Sequence, residues 1–433
     1  MSSPNDASEL IATDALRIGM YVELDVGWLS HPFPTSSFKI TSDSQLETIR
    51  GLDLLQVRWV PIKSDPQVDA TVPLNTERVS VAVHERQVAA EHDAQERRER
   101  ANLLSDQQSS LNACEKRFSD SARQYRKTLD LLHANPKEAA AQVGSMVSGL
   151  LGEMLAEGES AIRLLSESAG DKFAMHPVNV TVVSMLLGKA MGLSHATLQD
   201  LGVAAFLHDI GKVQLPERVR WVEENFSSSE YKLYQEHVAQ SVLLGKTMEL
   251  SKSALLTIAQ HHELADGTGY PSRVKVESIG TGGRILSLVN RYDNLCNPSR
   301  TATALTPHES LSLIFSQMKS RFDSVTLSAF IRMMGVYPPG SVVQLIDDRF
   351  AIVTSVNSAR PLKPRIIVHE PGVPKHEALI VDLEHMPFLG IRRSLKPSAL
   401  PSATLEYLAP RQRISYFFEQ TAAPAEPDDA AAD

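Results

Sequence analysis

Two short stretches carry the residue types from which a metal site is built. The first is His208-Asp209-Ile210-Gly211-Lys212; the second, His261-His262-Glu263, runs on into Asp266-Gly267-Thr268-Gly269-Tyr270-Pro271. Imidazole suits Zn, Fe, Mn or Ni, and a carboxylate between two cations can bridge them. A His-Asp pair and a His-His pair in one helical region therefore point to a polynuclear centre. A lone histidine is more often structural, so the combination carries the reading.

The elements that must position these residues are helices. From Ala139 to Leu165, Val143, Met146, Val147, Leu150, Leu151, Met154 and Leu155 recur at spacings of three and four, which is one helix face. Further helices are predicted over Phe173 to Met191, Leu198 to His208, Ser229 to Met248, Lys252 to Gln260 and Gly283 to Cys296, with Gly192, Gly211 and Gly267 punctuating their ends. These place His237 on a helix and the two motifs at helix ends. Lys212, four residues beyond His208, can reach the same side of the chain.

Flanking this core, residues 1–75 read as a small α+β module. It has strands in Gly19 to Leu24 and Leu55 to Ile62, and a helix from Ser44 to Arg50 with Ser44 as N-cap, Glu47 completing a capping box and Gly51 as its stop. His31, before Pro32 and without a partner nearby, reads as a loop residue. Residues 76–138, with mixed-charge runs such as Glu91 to Arg100, read as a charged, partly helical linker. After a helical core over 139–325, runs such as Ser341 to Leu345, Phe350 to Val353 and Arg365 to Val368 predict a β-rich appendix over 326–415; residues 416–433 are expected to be a disordered tail. The fold class is thus mainly α, with small N- and C-terminal additions.

The net charge is −9, which argues against a broadly basic surface for DNA or an anionic membrane, so an anionic ligand must meet a local basic pocket. Cys114 and Cys296 form no paired motif, which disfavours a disulfide framework or a thiolate zinc site and fits a reducing cytosol. No basic leader followed by an apolar run and no membrane span is read, so a cytoplasmic protein is expected.

His208-Asp209 with Gly211-Lys212, then His261-His262-Glu263, Asp266-Gly267 and Gly269-Tyr270-Pro271, resemble the HD-GYP family, a branch of the HD metal-dependent phosphohydrolases. The resemblance covers about residues 165–320, and implies an all-helical domain that hydrolyses cyclic di-GMP to pGpG or GMP. It assigns metal ligands to His176, His208, Asp209, His237, His261 and His262. The implied cofactors are divalent transition metals at a dinuclear site, Fe or Mn first, with Ni or Zn also suited to such ligands. Asp209 would bridge the cations, lowering the pKa of a shared water from about 15.7 towards neutrality.

In the same resemblance Lys212 meets a phosphate, or is simply an exposed lysine. Tyr270 belongs to a loop that supports the substrate pocket and a surface for diguanylate cyclase (GGDEF) partners. Arg273, Arg284 and Arg300 are candidate counter-charges for the substrate, each equally able to serve in a salt bridge; a homodimer stays open. Residues 16–62 resemble the uncharacterised N-terminal domain of one HD-GYP subgroup.

Two departures stand out. Asn290 takes the place of the family's last Asp ligand, which weakens the cation held with His176, His208 and Asp209, and Lys172 stands where a third metal would need a Glu. The enzyme reading therefore has a rival: a catalytically weak module that binds cyclic di-GMP or a cyclase. Action on another nucleotide is a third.

Overall fold

The structure is a computed structural model that describes residues 8–26, 31–52, 54–65, 76–156, 159–166, 174–221, 226–299, 303–357 and 360–421. The readings placed on Lys172, Phe173, Arg300 and the tail beyond 421 lie outside the described residues. The chain divides into two compact units, Met1–Asp106 and Gln107–Asp433.

The first unit contains β1 (Glu9–Ala12), β2 (Tyr21–Glu23), β3 (Ser37–Lys39), α1 (Asp43–Arg50) and β4 (Gln56–Trp59). The strands form an antiparallel sheet in the order β1-β4-β2-β3, over a core of Leu16, Met20, Val22, Leu24, Ile40, Leu46, Ile49 and Val57. The cap of α1 is Ser42, not Ser44: its side chain accepts from the Gln45 amide, so the Ser44–Glu47 capping box does not form. Gly51 ends the helix with φ −77°, in the right-handed region. His31 is buried against Ser36, in keeping with a loop role.

α2 (Thr76–Leu131) replaces the expected linker with one continuous helix of 56 residues. Among the described side chains, its charged run precedes an apolar stripe that begins near Leu111. Within the second unit Cys114, Phe118, Ala122 and Tyr125 recur at helical spacing and are buried.

The second unit continues with α3 (Pro136–Leu155), β5 (Glu159–Leu164), α4 (Met175–Ala190), α5 (His195–Leu207), α6 (Ser228–Thr247), α7 (Lys252–Gln260), α8 (Thr281–Cys296), α9 (Pro307–Gln317) and α10 (Ser324–Met334). The helices predicted around the motifs correspond to α4 to α8. α4 is apolar on nearly every face and is accordingly the central helix, packed by α5, α8 and α10. Capping residues set the starts of its neighbours: Ser194 for α5, Ser227 with Glu230 in a full capping box for α6, and Ser251 for α7.

β6 (Val342–Leu345), β7 (Phe350–Asn357), β8 (Arg365–Val368), β9 (Ile380–Asp382), β10 (Ile391–Leu395), α11 (Ser402–Leu408) and β11 (Tyr416–Thr421) follow. The sheet runs β10-β6-β7-β5-β11, with β8 also on β7 and β9 on β8, all antiparallel. The C-terminal sheet is therefore no separate appendix over 326–415, because β5 lies inside it. Nor is 416–421 part of a disordered tail. Tyr416 to Thr421 pair in register with Leu164 to Glu159, and Phe417 and Phe418 are fully buried. A strand from the helical region and a strand from the C-terminus complete each other, and neither is recognisable alone.

Candidate metal centre

His208 closes α5 and His261 closes α7, while His237 sits within α6. Each points Nδ1 at the carbonyl three residues back in its own helix: Ala205 at 2.7 Å, Ile258 at 2.6 Å and Tyr234 at 2.6 Å. Nδ1–H donates in all three, so each Nε2 carries a lone pair. Those lone pairs converge. His237 Nε2 lies 3.3 Å from His261 Nε2, and His208 Nε2 lies 3.2 Å from His176 Nε2. Imidazole nitrogens facing each other across such distances need a proton or a cation between them.

Asp209, the residue after His208, sets its carboxylate at the middle. Oδ2 is 3.4 Å from both His176 and His208 Nε2; Oδ1 is 3.4 Å from His237 and 3.8 Å from His261 Nε2. Two ligand sets result, His176-His208-Asp209 and Asp209-His237-His261-His262, and in each the candidate atoms lie within 4.8 Å of one another. Asp209 Oδ1 and His262 Nε2 are buried without a hydrogen-bond partner. Polar atoms left bare in a buried site are what a bound cation would satisfy, so the residues fit a divalent metal. The carboxyl-terminal ends of α5 and α7, both at the cluster, add negative potential that favours cations.

Protonation follows the same logic. Burial presses His237 down to about 4, and burial with the neighbouring imidazoles presses His261 and His262 well below the ordinary histidine range. All three are neutral imidazoles at pH 7. For Asp209, burial opposes ionisation but is outweighed by the Lys212 ammonium and a hydrogen bond from His176, which hold the carboxyl well below the usual range. His176 is lowered by burial and raised more strongly by Asp209 and Asp293, to about 9, so a cation at its Nε2 must displace a proton.

His176, in the first turn of α4, has a different orienting partner: its Nδ1 lies 2.6 Å from Asp293 Oδ2 on α8. Asp293 Oδ1 accepts in turn from Asn179 at 2.9 Å and Asn297 at 3.0 Å. A carboxylate behind a ligating imidazole fixes its tautomer and raises its basicity. Asp293, three residues after Asn290 on α8, thus stands at the site through its contact with His176. Asn290 is buried, and its Oδ1 accepts from Asn294 at 2.7 Å.

Lys212 lies in a 3-10 turn, Ile210–Gln214, its Nζ 2.5 Å from Asp209 Oδ2 and over the Trp221 and Tyr234 rings. It is largely buried, so it is not the exposed lysine of the alternative reading. Gly211 is required by proximity: a Cβ there would stand 2.3 Å from His237 O and from Ser241 N, where the turn presses on α6.

The loop after His262 is folded by Glu263. Its buried carboxylate accepts from the amides of Ser272, Arg273 and Val274 at 2.6, 3.1 and 3.1 Å. Gly269 meets the His262 to Leu264 backbone so closely that a Cβ would lie 2.4 Å from two of its atoms. The loop thereby stacks Tyr270 on His262, ring centroids 4.4 Å apart. Burial keeps the Tyr270 hydroxyl protonated.

A cleft of about 940 Å³ opens over this centre and is lined by His176, His261, His262, Tyr270 and Asn290 among others. Such a volume is ordinary for a ligand site. Its lining includes Lys212, Arg291, Arg321 and Arg413 and, among the described residues, no carboxylate. In a chain of net charge −9 this is the local basic pocket that an anion needs.

Two of the expected counter-charges are elsewhere. Arg284 Nε and Nη2 donate to the carbonyls of Ile279 and Val276 at 2.8 and 2.7 Å, with Nη1 3.5 Å from Asp323, so it ties a loop to α8 instead of lining the cleft. Arg273 is exposed outside the cleft lining, and Arg300 lies outside the described residues. Residue type alone made these arginines candidates, whereas their acceptors are set by tertiary structure.

Residues 159–325 match the HD domain, and residues 9–143 match a domain of unknown function (DUF3391). The fold and the centre thus define an HD-domain protein. More narrowly, its motifs resemble those of the HD-GYP family, and the DUF3391 match stands on its N-terminal side. The chain is 24% identical over 375 residues to the cyclic di-GMP phosphodiesterase PA4108 of Pseudomonas aeruginosa, covering 83% of this chain and 84% of that protein. To the cyclic di-GMP phosphodiesterase PdeB of Borreliella burgdorferi it is 26% identical over 192 residues, 44% of this chain and 51% of that one. To the 3'3'-cGAMP-specific phosphodiesterase 2 of Vibrio cholerae it is 28% identical over 134 residues, 30% and 25% of the two chains. No helix among the described residues is long and apolar enough to cross a membrane.

Proposed function

We propose that this protein is a metal-dependent phosphodiesterase that hydrolyses cyclic di-GMP. The observation that carries the reading is the Asp209 carboxylate shared between two imidazole sets beneath a cleft lined by cations and no carboxylate. The similarity to PA4108 along most of both chains supports the choice of substrate.

We assign a dinuclear site, His176, His208 and Asp209 holding one cation and Asp209, His237, His261 and His262 the other, with Fe or Mn as the metals. Divalent cations at such a site supply Lewis acidity and an acidified water. The chain's own groups do the rest. Lys212 brings a buried ammonium to the edge of Asp209, where it can meet a phosphoryl oxygen and the charge that develops on it. Tyr270 offers a ring and a protonated hydroxyl to the substrate, and Glu263 holds it in place. Pro271 and Ser272, exposed beside Tyr270, leave the loop open to a GGDEF partner.

The test is turnover of cyclic di-GMP by metal-loaded protein, followed by separation of products. Formation of pGpG or GMP, abolished by replacing both His261 and His262 with Ala in a protein that stays folded, is the expected result. Tight binding of cyclic di-GMP without turnover, with both sites metal-loaded, would instead select the binding module.

A further inference from the structure

We propose that Arg413, contributed by the segment that leads into β11 and not by the HD domain match, binds the phosphodiester of cyclic di-GMP that is not being cleaved. This inference rests on the substrate assigned above. Arg413 lies 88 positions beyond the end of that match, yet lines the same cleft as His176 and His262. It is half-buried and makes no hydrogen bond or ion pair among the described residues. A guanidinium in a wall without carboxylates is matched to an anion, and its planar fork suits a phosphate.

The segment that carries it is built into the metal centre. The Ile414 carbonyl accepts from Asn179 at 2.8 Å and Asn297 at 2.9 Å, and the Ile414 amide donates to Asn297 at 2.8 Å. The Tyr416 amide donates to Asn179 at 2.9 Å. These are the two asparagines that hold Asp293, the carboxylate behind His176. One amide pair therefore fixes both a metal-ligand orientation and the backbone next to Arg413. That rigidity lowers the ordering cost of binding through Arg413.

Lys212, at Asp209, serves the phosphate at the metals. A cyclic dinucleotide carries a second phosphate, and Arg413, with Arg291 and Arg321 on the same cleft, supplies its counter-charge. A contact remote from the reacting atoms is made equally in ground and transition states, so losing it raises KM and spares kcat.

The experiment compares Mn-loaded full-length wild type, Arg413→Ala and Arg413→Lys on three substrates: cyclic di-GMP, 3'3'-cGAMP, and bis(p-nitrophenyl) phosphate, which has a single phosphodiester. For Arg413→Ala, KM for both cyclic dinucleotides should rise by about tenfold to a hundredfold with kcat retained. The single-phosphate substrate should be cleaved as by wild type, and Arg413→Lys should fall between. Unchanged KM for cyclic di-GMP, or an equal loss on all three substrates, would overturn the role. A loss confined to cyclic di-GMP would also overturn it, since that would mean base recognition. Wild type that cleaves bis(p-nitrophenyl) phosphate but not cyclic di-GMP would refute the substrate assignment itself, and this inference with it.

Discussion

His176 Nδ1 and Asp293 Oδ2 stand 2.6 Å apart, a carboxylate from α8 behind an imidazole in the first turn of α4. The other three histidines with an assigned Nδ1 partner use backbone, which no side-chain substitution removes. His176 is thus the candidate ligand open to genetic test through its support. Asp293→Ala should weaken metal binding at the His176 set by about tenfold to a hundredfold, read by metal titration of the folded protein. Unchanged affinity would mean that Asp293 is only a packing residue.

Lys212 and a cation both claim Asp209, which separates binding from rate. Lys212→Ala removes an ammonium 2.5 Å from Oδ2, so metal affinity should hold or rise. Turnover should fall by about a hundredfold to a thousandfold if the ammonium stabilises developing phosphoryl charge. Loss of metal together with activity would instead make Lys212 a structural residue.

Glu263 offers a test of the loop. With one carboxylate accepting three amides, Glu263→Gln leaves fewer charge-assisted bonds and should lower stability by about 2 kcal/mol. Urea unfolding measures this, and hydrogen exchange at Ser272 to Val274 should quicken. Protection equal to wild type at those amides would refute the role.

Asn290 marks where this chain departs from the HD-GYP pattern it resembles. Its amide oxygen accepts from Asn294, an interaction a carboxylate preserves while adding a charged ligand. Asn290→Asp should raise metal content towards two ions per chain and increase turnover at limiting Mn or Fe(II). If metal content stays at the wild-type value, Asn290 lies outside the coordination sphere.

The histidine–aspartate cluster was legible in the sequence because His208-Asp209 and His261-His262 are local motifs at the ends of strongly periodic helices. What was not legible depended on long-range partners. Asp293 reaches His176 across 117 positions, and β11 finds β5 across the whole helical region. Arg284 and Arg413 are both arginines, and only tertiary structure commits one to carbonyls and leaves the other in the cleft. Gly211 was read as helix punctuation, yet its need is the 2.3 Å approach of α6. The helical nature of α2 was masked by charge, because among the described side chains its apolar stripe occupies the later turns.

The most direct measurement of the central claim is cyclic di-GMP hydrolysis by protein stripped with a chelator and then reloaded under anaerobic conditions. The account predicts no product from the stripped, folded protein and restored formation of pGpG or GMP on adding Mn or Fe(II). Undiminished turnover after the metal is shown to be gone, or no turnover by fully reloaded protein, would contradict it.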